Sequence, residues 1–230
     1  MKMKRIFLYA VILAALTAIC AFPLNVRYGI DGVCYSKKIP LYAKLGGYLY
    51  RDWMYRDIAN DITRDIKDDT PKVLAIQEWT NKNIKNGIPE GLKAMDDHPL
   101  NIIIRQYGCG DQLNDIFTIL CSYAGYRAGM VKCFNAEKTR LIILSLVRVK
   151  NEWLIFDTVK GRYFPNKKGG IGSIDDYRKG DIVLTAEDTS QYKEYLDDLK
   201  NKDCDSLTRA EEQMPLKRFP ARIRKALRGK

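Results

Sequence analysis

The sequence predicts an α+β domain in which helices pack on a small antiparallel sheet, preceded by one apolar N-terminal helix. Two changes along the chain support this prediction. An uncharged run gives way to segments with helical periodicity, and these give way to short runs rich in β-branched and aromatic residues. A chain of 230 residues is long enough for one core together with an anchor or a tail. We therefore expect a single folded domain.

The domain organisation follows from these changes in composition. A folded domain is expected between an N-terminal apolar segment with its lead-in and a C-terminal basic segment. The predicted boundaries are residues 1–24 for a signal anchor or signal peptide, 25–45 for the lead-in, 46–187 for the domain, and 188–230 for a C-terminal helix and basic tail.

The N-terminal run from Ile6 to Leu24 contains no charge and is about as long as the hydrocarbon core of a bilayer requires. Basic residues precede it, which predicts a cytoplasmic N-terminus and a domain on the other side of the membrane. The run is compatible with an uncleaved anchor, with a signal peptide cleaved after "AICA", or with a lipid anchor at Cys20. The expected location is therefore membrane-anchored with the domain in the periplasm, or secreted into the periplasm after cleavage.

Two helices are predicted next. Residues 48–69 place Met54, Ile58 and Ile62 four apart with charges between them, as an amphipathic helix does. The second helix is expected to begin with Thr70 as N-cap and Pro71 at its first position, and to stop before Gly87.

A third helix is predicted from about Asp111 to Ala124, ended by Gly125. Its apolar residues lie on one stripe, and Cys121 falls on the buried side, where an unpaired cysteine packs as a small hydrophobe.

The following segments have the character of strands. They are "RAGMVKCF", "RLIILSLVRV" and "EWLIFDTV", and "KN" at 150–151 separates the last two as a tight hairpin turn. Another helix is expected near residues 190–200.

The net charge of +11 is concentrated at the two ends of the chain. Three cations precede the apolar run and seven lie in residues 217–230, so residues 6–216 carry only about +1. The folded part therefore has no excess charge with which to follow a phosphate backbone, and nucleic acid is not an expected partner. The tail interleaves apolar residues with its cations, which is compatible with an anionic membrane surface or with a solvated terminus.

Three segments resemble the bacterial transglutaminase-like superfamily, which shares its fold with papain-type cysteine proteases. They are "TPKVLAIQEWTNKNIK", "GCGDQLNDIFTILCSYAGYRAG" and "VRVKNEWLIFD", within residues 46–160. The resemblance implies a Cys-His-Asp relay in which a thiolate at a helix N-terminus attacks an amide carbonyl.

Carried onto this sequence, the relay is incomplete. Asp157 follows Trp153 as the orienting aspartate of the family follows its tryptophan. An ungapped match puts Gly110 where the family has cysteine, with Cys109 one residue early, and Ile142 where it has histidine. The only histidine is His98, eleven residues before Cys109.

These departures lead to a hypothesis of a non-catalytic module that binds a peptide or an envelope polysaccharide. Asp111 and Gln112 at the helix mouth, together with Trp153, are the expected binding residues. The alternative is a thiol amidohydrolase or acyltransferase that uses Cys109 with His98 as base. A third hypothesis is an adaptor that binds anionic membrane or nucleic acid through its basic tail.

No metal site or cofactor is expected. One histidine and the absence of a Cys-x-x-Cys pair would leave zinc with unusual ligands. Outside the apolar run there are five cysteines, and their spacing dictates no disulfide pairing.

Overall fold

A computed structural model describes residues 2–30, 33–92, 98–202 and 204. The N-terminal half contains α1 (Lys2–Ala21), β1 (Pro23–Ile30), β2 (Val33–Pro40), α2 (Leu41–Thr63), α3 (Asp69–Asn83), β3 (Lys85–Asn86), α4 (Pro99–Arg105) and β4 (Tyr107–Gly108). The C-terminal half contains α5 (Gly110–Tyr123), β5 (Arg127–Phe134), β6 (Leu141–Val149), β7 (Glu152–Asp157), β8 (Arg162–Tyr163), α6 (Ile174–Lys179) and α7 (Ala186–Leu199). The basic tail lies outside the described residues.

Helix α1 has the length and composition of a membrane span. Its window Lys4–Ala21 has a mean hydropathy of 1.8, and none of it is buried against the rest of the protein. It is the one such helix among the described residues, and a signal sequence would have the same properties.

Helices α2 and α3 begin earlier than the sequence predicts. Helix α3 begins at Asp69 with Asp68 as N-cap, so the prediction of Thr70 as N-cap was wrong. Pro71 is accommodated because the first N–H groups of a helix have no intrahelical partner, and the first helical bond runs from Lys72 N–H to the Asp68 carbonyl at 3.2 Å.

The sheet has the order β5-β6-β7-β8 and is antiparallel throughout. The predicted strands are confirmed, and so is the hairpin turn between β6 and β7. Lys150 and Asn151 both have positive φ, 48° and 73°, as a two-residue type I′ turn requires. Helix α5 ends as predicted, with Gly125 at φ +99°.

Each face of the sheet carries its own core. On one face, α5 packs against β5 and β6, and the Phe117 and Phe156 rings meet with their centroids 5.2 Å apart. On the other face, α6 and α7 cover Leu144, Ile155 and Phe164. Because side chains alternate along a strand, sequence neighbours on β6 and β7 face different helices.

Candidate active and binding sites

The N-terminus of α5 carries the candidate nucleophile. Cys109 is the N-cap of α5, and its side chain is exposed. The Gln112 side-chain oxygen accepts from the Cys109 N–H at 2.9 Å and from the Arg105 guanidinium at 3.0 Å. Gln112 is buried, so its amide holds the backbone around Cys109 instead of facing solvent. Asp111 is exposed beside it in the first turn.

The two glycines around Cys109 are required by close packing. A Cβ on Gly108 would lie 2.7 Å from the Gln112 side-chain oxygen and 2.9 Å from Ile102. A Cβ on Gly110 would lie 3.2 Å from Val159. A side chain at position 110, where the family match expects cysteine, would therefore press on Val159.

A buried chain of hydrogen bonds joins the first turns of α5 to the sheet. Thr158 donates to the Ser145 hydroxyl at 2.9 Å, Ser145 donates to the Asn114 side-chain oxygen at 2.6 Å, and Asn114 donates to the Gly110 carbonyl at 2.9 Å. Asn114, Ser145 and Thr158 are all fully buried. The sheet positions that face the start of α5 thus carry hydroxyl groups and no imidazole. This chain of hydrogen bonds was not predicted from the sequence. The signal that could have indicated it is the alternation of side chains along β6 and β7, which sets the face on which each side chain lies.

His98 caps helix α4. Its ring Nδ1 accepts from the Leu100 N–H at 3.3 Å, and Pro99 follows at the first helical position. This nitrogen therefore has a structural role at the start of α4.

Asp157 lies on the face of the sheet opposite α5. One of its carboxylate oxygens accepts from the Tyr192 hydroxyl of α7 at 2.5 Å, and the other accepts from the Lys160 N–H at 3.1 Å. Burial and the hydrogen bond to Asp157 both raise the pKa of Tyr192, so its hydroxyl remains a donor. The structure therefore places Asp157 and Cys109 on opposite faces of the sheet.

Ile142 lies on the same face as Asp157 and packs against the α7 core. Ser145 pairs with Phe156, so continuing the register places Leu144, rather than Ile142, opposite Asp157. Leu144 is fully buried. Neither position brings an imidazole to Asp157 or to Cys109.

Asp157, Ile142 and Tyr192 line a cleft of about 740 Å³ between the β5-β6 turn and α7. The other lining residues are mostly polar: Asn135, Ala136, Glu137, Thr139, Arg140, Lys160, Ser190, Gln191, Glu194 and Tyr195. Both signs of charge and an aromatic ring are present. The size lies within the range of clefts that hold small ligands.

Trp153 lies in a different, smaller hollow of about 300 Å³. The Arg127 and Arg148 guanidinium groups lie over its ring, 5.6 and 6.0 Å from the centroid. Trp153 packs with the α7 core, whereas Asp111 and Gln112 lie at the start of α5. The structure does not bring these three predicted binding residues into one pocket.

An ion pair lies beside Tyr192, one of the residues that line the larger cleft. The Arg162 guanidinium donates to the buried Asp188 carboxylate at 2.5 Å and lies over the Tyr192 ring, 5.4 Å from its centroid. Burial raises the pKa of Asp188, but hydrogen bonds from Thr185 and Arg162 outweigh it, and the net pKa is lowered.

Among the described residues, no cluster of three or more His, Cys, Asp or Glu side chains could hold a metal ion. The thiols of Cys20, Cys109, Cys121 and Cys133 are free.

The family profile of the transglutaminase-like superfamily matches residues 56–164, which include α3, α5 and strands β5 to β7. This segment is similar to transglutaminase-like domains. The predicted fold class is thereby confirmed. The matched region includes Cys109, His98 and Asp157.

Two solved structures resemble the chain. A candidate cysteine protease from Cytophaga hutchinsonii is 15% identical with a TM-score of 0.41, and the alignment covers 62% of this chain and 45% of that protein. A candidate protease from Parabacteroides distasonis is 13% identical with a TM-score of 0.39, covering 58% of this chain and 35% of that protein. The chain thus spans less than half the length of either. No curated protein matches the sequence.

Proposed function

We propose that the protein is a non-catalytic transglutaminase-like module at the outer face of the cytoplasmic membrane, where it binds a peptide or a cell-envelope glycan. The observation that carries the proposal is the position of Asp157. Its carboxylate is bound to Tyr192 on the α7 face, so it cannot orient a base for a thiol on the α5 face. A relay needs its members within hydrogen-bond reach of each other.

The cleft beside Asp157 is the proposed binding site. Arg140 and Lys160 can pair with carboxylates, Glu137 can accept from amines or hydroxyls, and Tyr195 offers an aromatic face. A sugar or peptide presents the matching groups, since both combine polar edges with apolar faces. This assignment replaces Asp111, Gln112 and Trp153 as the proposed contact residues.

Binding can be measured by calorimetry with the full chain in nanodiscs and soluble disaccharide peptides from digested peptidoglycan. Arg140→Ala and Tyr195→Ala are each expected to weaken binding by roughly tenfold, because each removes one contact worth about 1.4 kcal/mol.

Lys132→Ala is the matched control. Lys132 is exposed on β5, and alternation from Val131 and Cys133, which pack with α7, places it on the other face. The affinity of the Lys132→Ala variant for the probe should equal that of the unmodified chain. Equal binding by all three variants, or no binding of the probe, would contradict the proposed cleft.

The thiol-enzyme alternative is favoured by one observation: Cys109 is exposed at the N-terminus of α5, so a reagent can reach its sulfur. We expect that its alkylation rate does not depend on His98. Faster labelling of Cys109 than of Cys121 is not informative, since Cys121 is fully buried and its thiol pKa is raised by burial.

His98→Asn is the appropriate variant, because asparagine preserves the N-cap of α4 and removes the imidazole. At each pH near neutrality, iodoacetamide is expected to label Cys109 at the same rate in His98→Asn as in the unmodified chain. A rate that falls about tenfold in His98→Asn at the same pH would favour the enzyme.

A further inference from the structure

The first three turns of α2 carry an exposed apolar stripe. Tyr42, Leu45, Leu49 and Trp53 follow one another at spacings of three and four, which places them on one face of the helix. Their side chains are 62%, 49%, 61% and 58% exposed. Tyr50 lies beside them, with its ring centroid 6.4 Å from that of Trp53.

The stripe faces away from the protein core. A different side of α2 supplies the core contacts, through Tyr55 and Ala59, which are fully buried. Farther along the helix, the face that carries the stripe is occupied by the exposed residues Arg56 and Asn60. The apolar surface is therefore confined to the beginning of α2.

The beginning of α2 adjoins the end of the candidate membrane span. The Leu41 N–H donates to the Phe22 carbonyl at 2.9 Å, across the β1-β2 hairpin, and α1 contacts α2. If α1 spans the bilayer, the first turn of α2 lies where the hydrocarbon core ends.

The charges around the stripe fit an anionic surface. Between residues 33 and 53 there are four cations, Lys37, Lys38, Lys44 and Arg51, and one acidic residue, Asp52, which pairs with Arg56. Lys44 and Arg51 lie over the Tyr48 ring, 5.4 and 4.8 Å from its centroid. Aromatic side chains flanked by Lys and Arg are typical of the headgroup region of bilayers.

We propose that the stripe Tyr42, Leu45, Leu49 and Trp53 is inserted into the headgroup region of the membrane beside α1, as a second contact that fixes the orientation of the domain. The occupant of this surface is an anionic phospholipid bilayer. The inference rests on the proposed retention of α1 in the membrane.

The test uses the full chain with Trp79→Phe and Trp153→Phe, so that Trp53 is the only tryptophan. The protein is reconstituted into phosphatidylcholine–phosphatidylglycerol vesicles that contain acyl chains brominated close to the headgroup. Trp53 is expected to lose roughly half of its emission, since the apolar face of an interfacial helix is buried about 5–10 Å.

Further variants separate the stripe from the anchor. Leu45→Glu with Leu49→Glu should abolish the quenching, while Asn60→Glu, farther along the same face, should leave it unchanged. A chain with Trp153 as the only tryptophan should not be quenched. Sedimentation of the protein with the vesicles measures anchoring by α1, independently of the quenching of Trp53.

Each outcome is decisive. Sedimentation without quenching of Trp53, or quenching that persists in the double glutamate variant, overturns the stripe and leaves the anchor standing. Loss of sedimentation from the unmodified chain overturns both proposals. If two copies of the chain cross-link through the surface around Trp53, and Trp53 is not quenched, the stripe is assigned to a dimer and the inference is overturned.

Discussion

Replacing Asn114 with alanine is expected to lower the free energy of unfolding by about 3 kcal/mol. The substitution removes the acceptor of the fully buried Ser145 hydroxyl and the donor to the Gly110 carbonyl, a bond that is partly buried. It also leaves a cavity between α5 and the sheet. Urea unfolding followed by circular dichroism measures the change.

Asn83→Ala is the matched control. Asn83 makes the same type of bond to the carbonyl four residues earlier, 2.8 Å to Trp79, but is only half-buried. Its loss should cost about 1 kcal/mol or less. In a double-mutant cycle, Asn114→Ala and Ser145→Ala should cost less together than the sum of their separate effects. Additive costs would contradict a coupled chain.

Replacing Arg162 with methionine is expected to lower the free energy of unfolding by about 3–5 kcal/mol near neutral pH. Methionine keeps much of the side-chain volume but leaves the Asp188 carboxylate buried without its cation. The pKa of Asp188 is lowered in the folded protein, so its contribution is present above the unfolded value and is lost as the pH falls through the folded value. The cost of Arg162→Met should therefore shrink below about pH 4.

Lys167→Met provides the comparison. Lys167 pairs with Asp181 at 3.2 Å on the surface, and its loss should cost about 0–1 kcal/mol at any of these pH values. A cost for Arg162→Met that is equally small, or independent of pH, would show that Asp188 does not need a cation.

The strands and α5 could be predicted because their side-chain periods are strong and their ends are marked by glycine or by a two-residue turn. Helix α4 and the β1-β2 hairpin were missed. The seven residues of α4 are too few to establish a period of 3.6. The hairpin was missed although Leu24, Val26, Tyr28 and Ile30 alternate with polar residues or glycine along β1, and "DG" at 31–32 is a common two-residue turn sequence.

The candidate site was harder to predict than the fold. Family spacing identified Cys109, Gly110 and Asp157 as the positions to compare. The spacing did not predict the face of the sheet on which Asp157 lies. Side-chain alternation along β7 already placed Asp157 on the same face as Ile155. The contact with Tyr192 depends on a helix thirty-five residues away and could not be deduced from local pattern.

The backbone bond between Leu41 and Phe22 limits the working distance of the protein. If the first helix stays in the bilayer, the domain has no slack linker, so its reach is set by its own diameter. A compact body of about 160 residues extends roughly 40 Å. With the first helix in the bilayer, every surface of the domain, including the cleft beside Asp157, would lie within about that distance of the lipid.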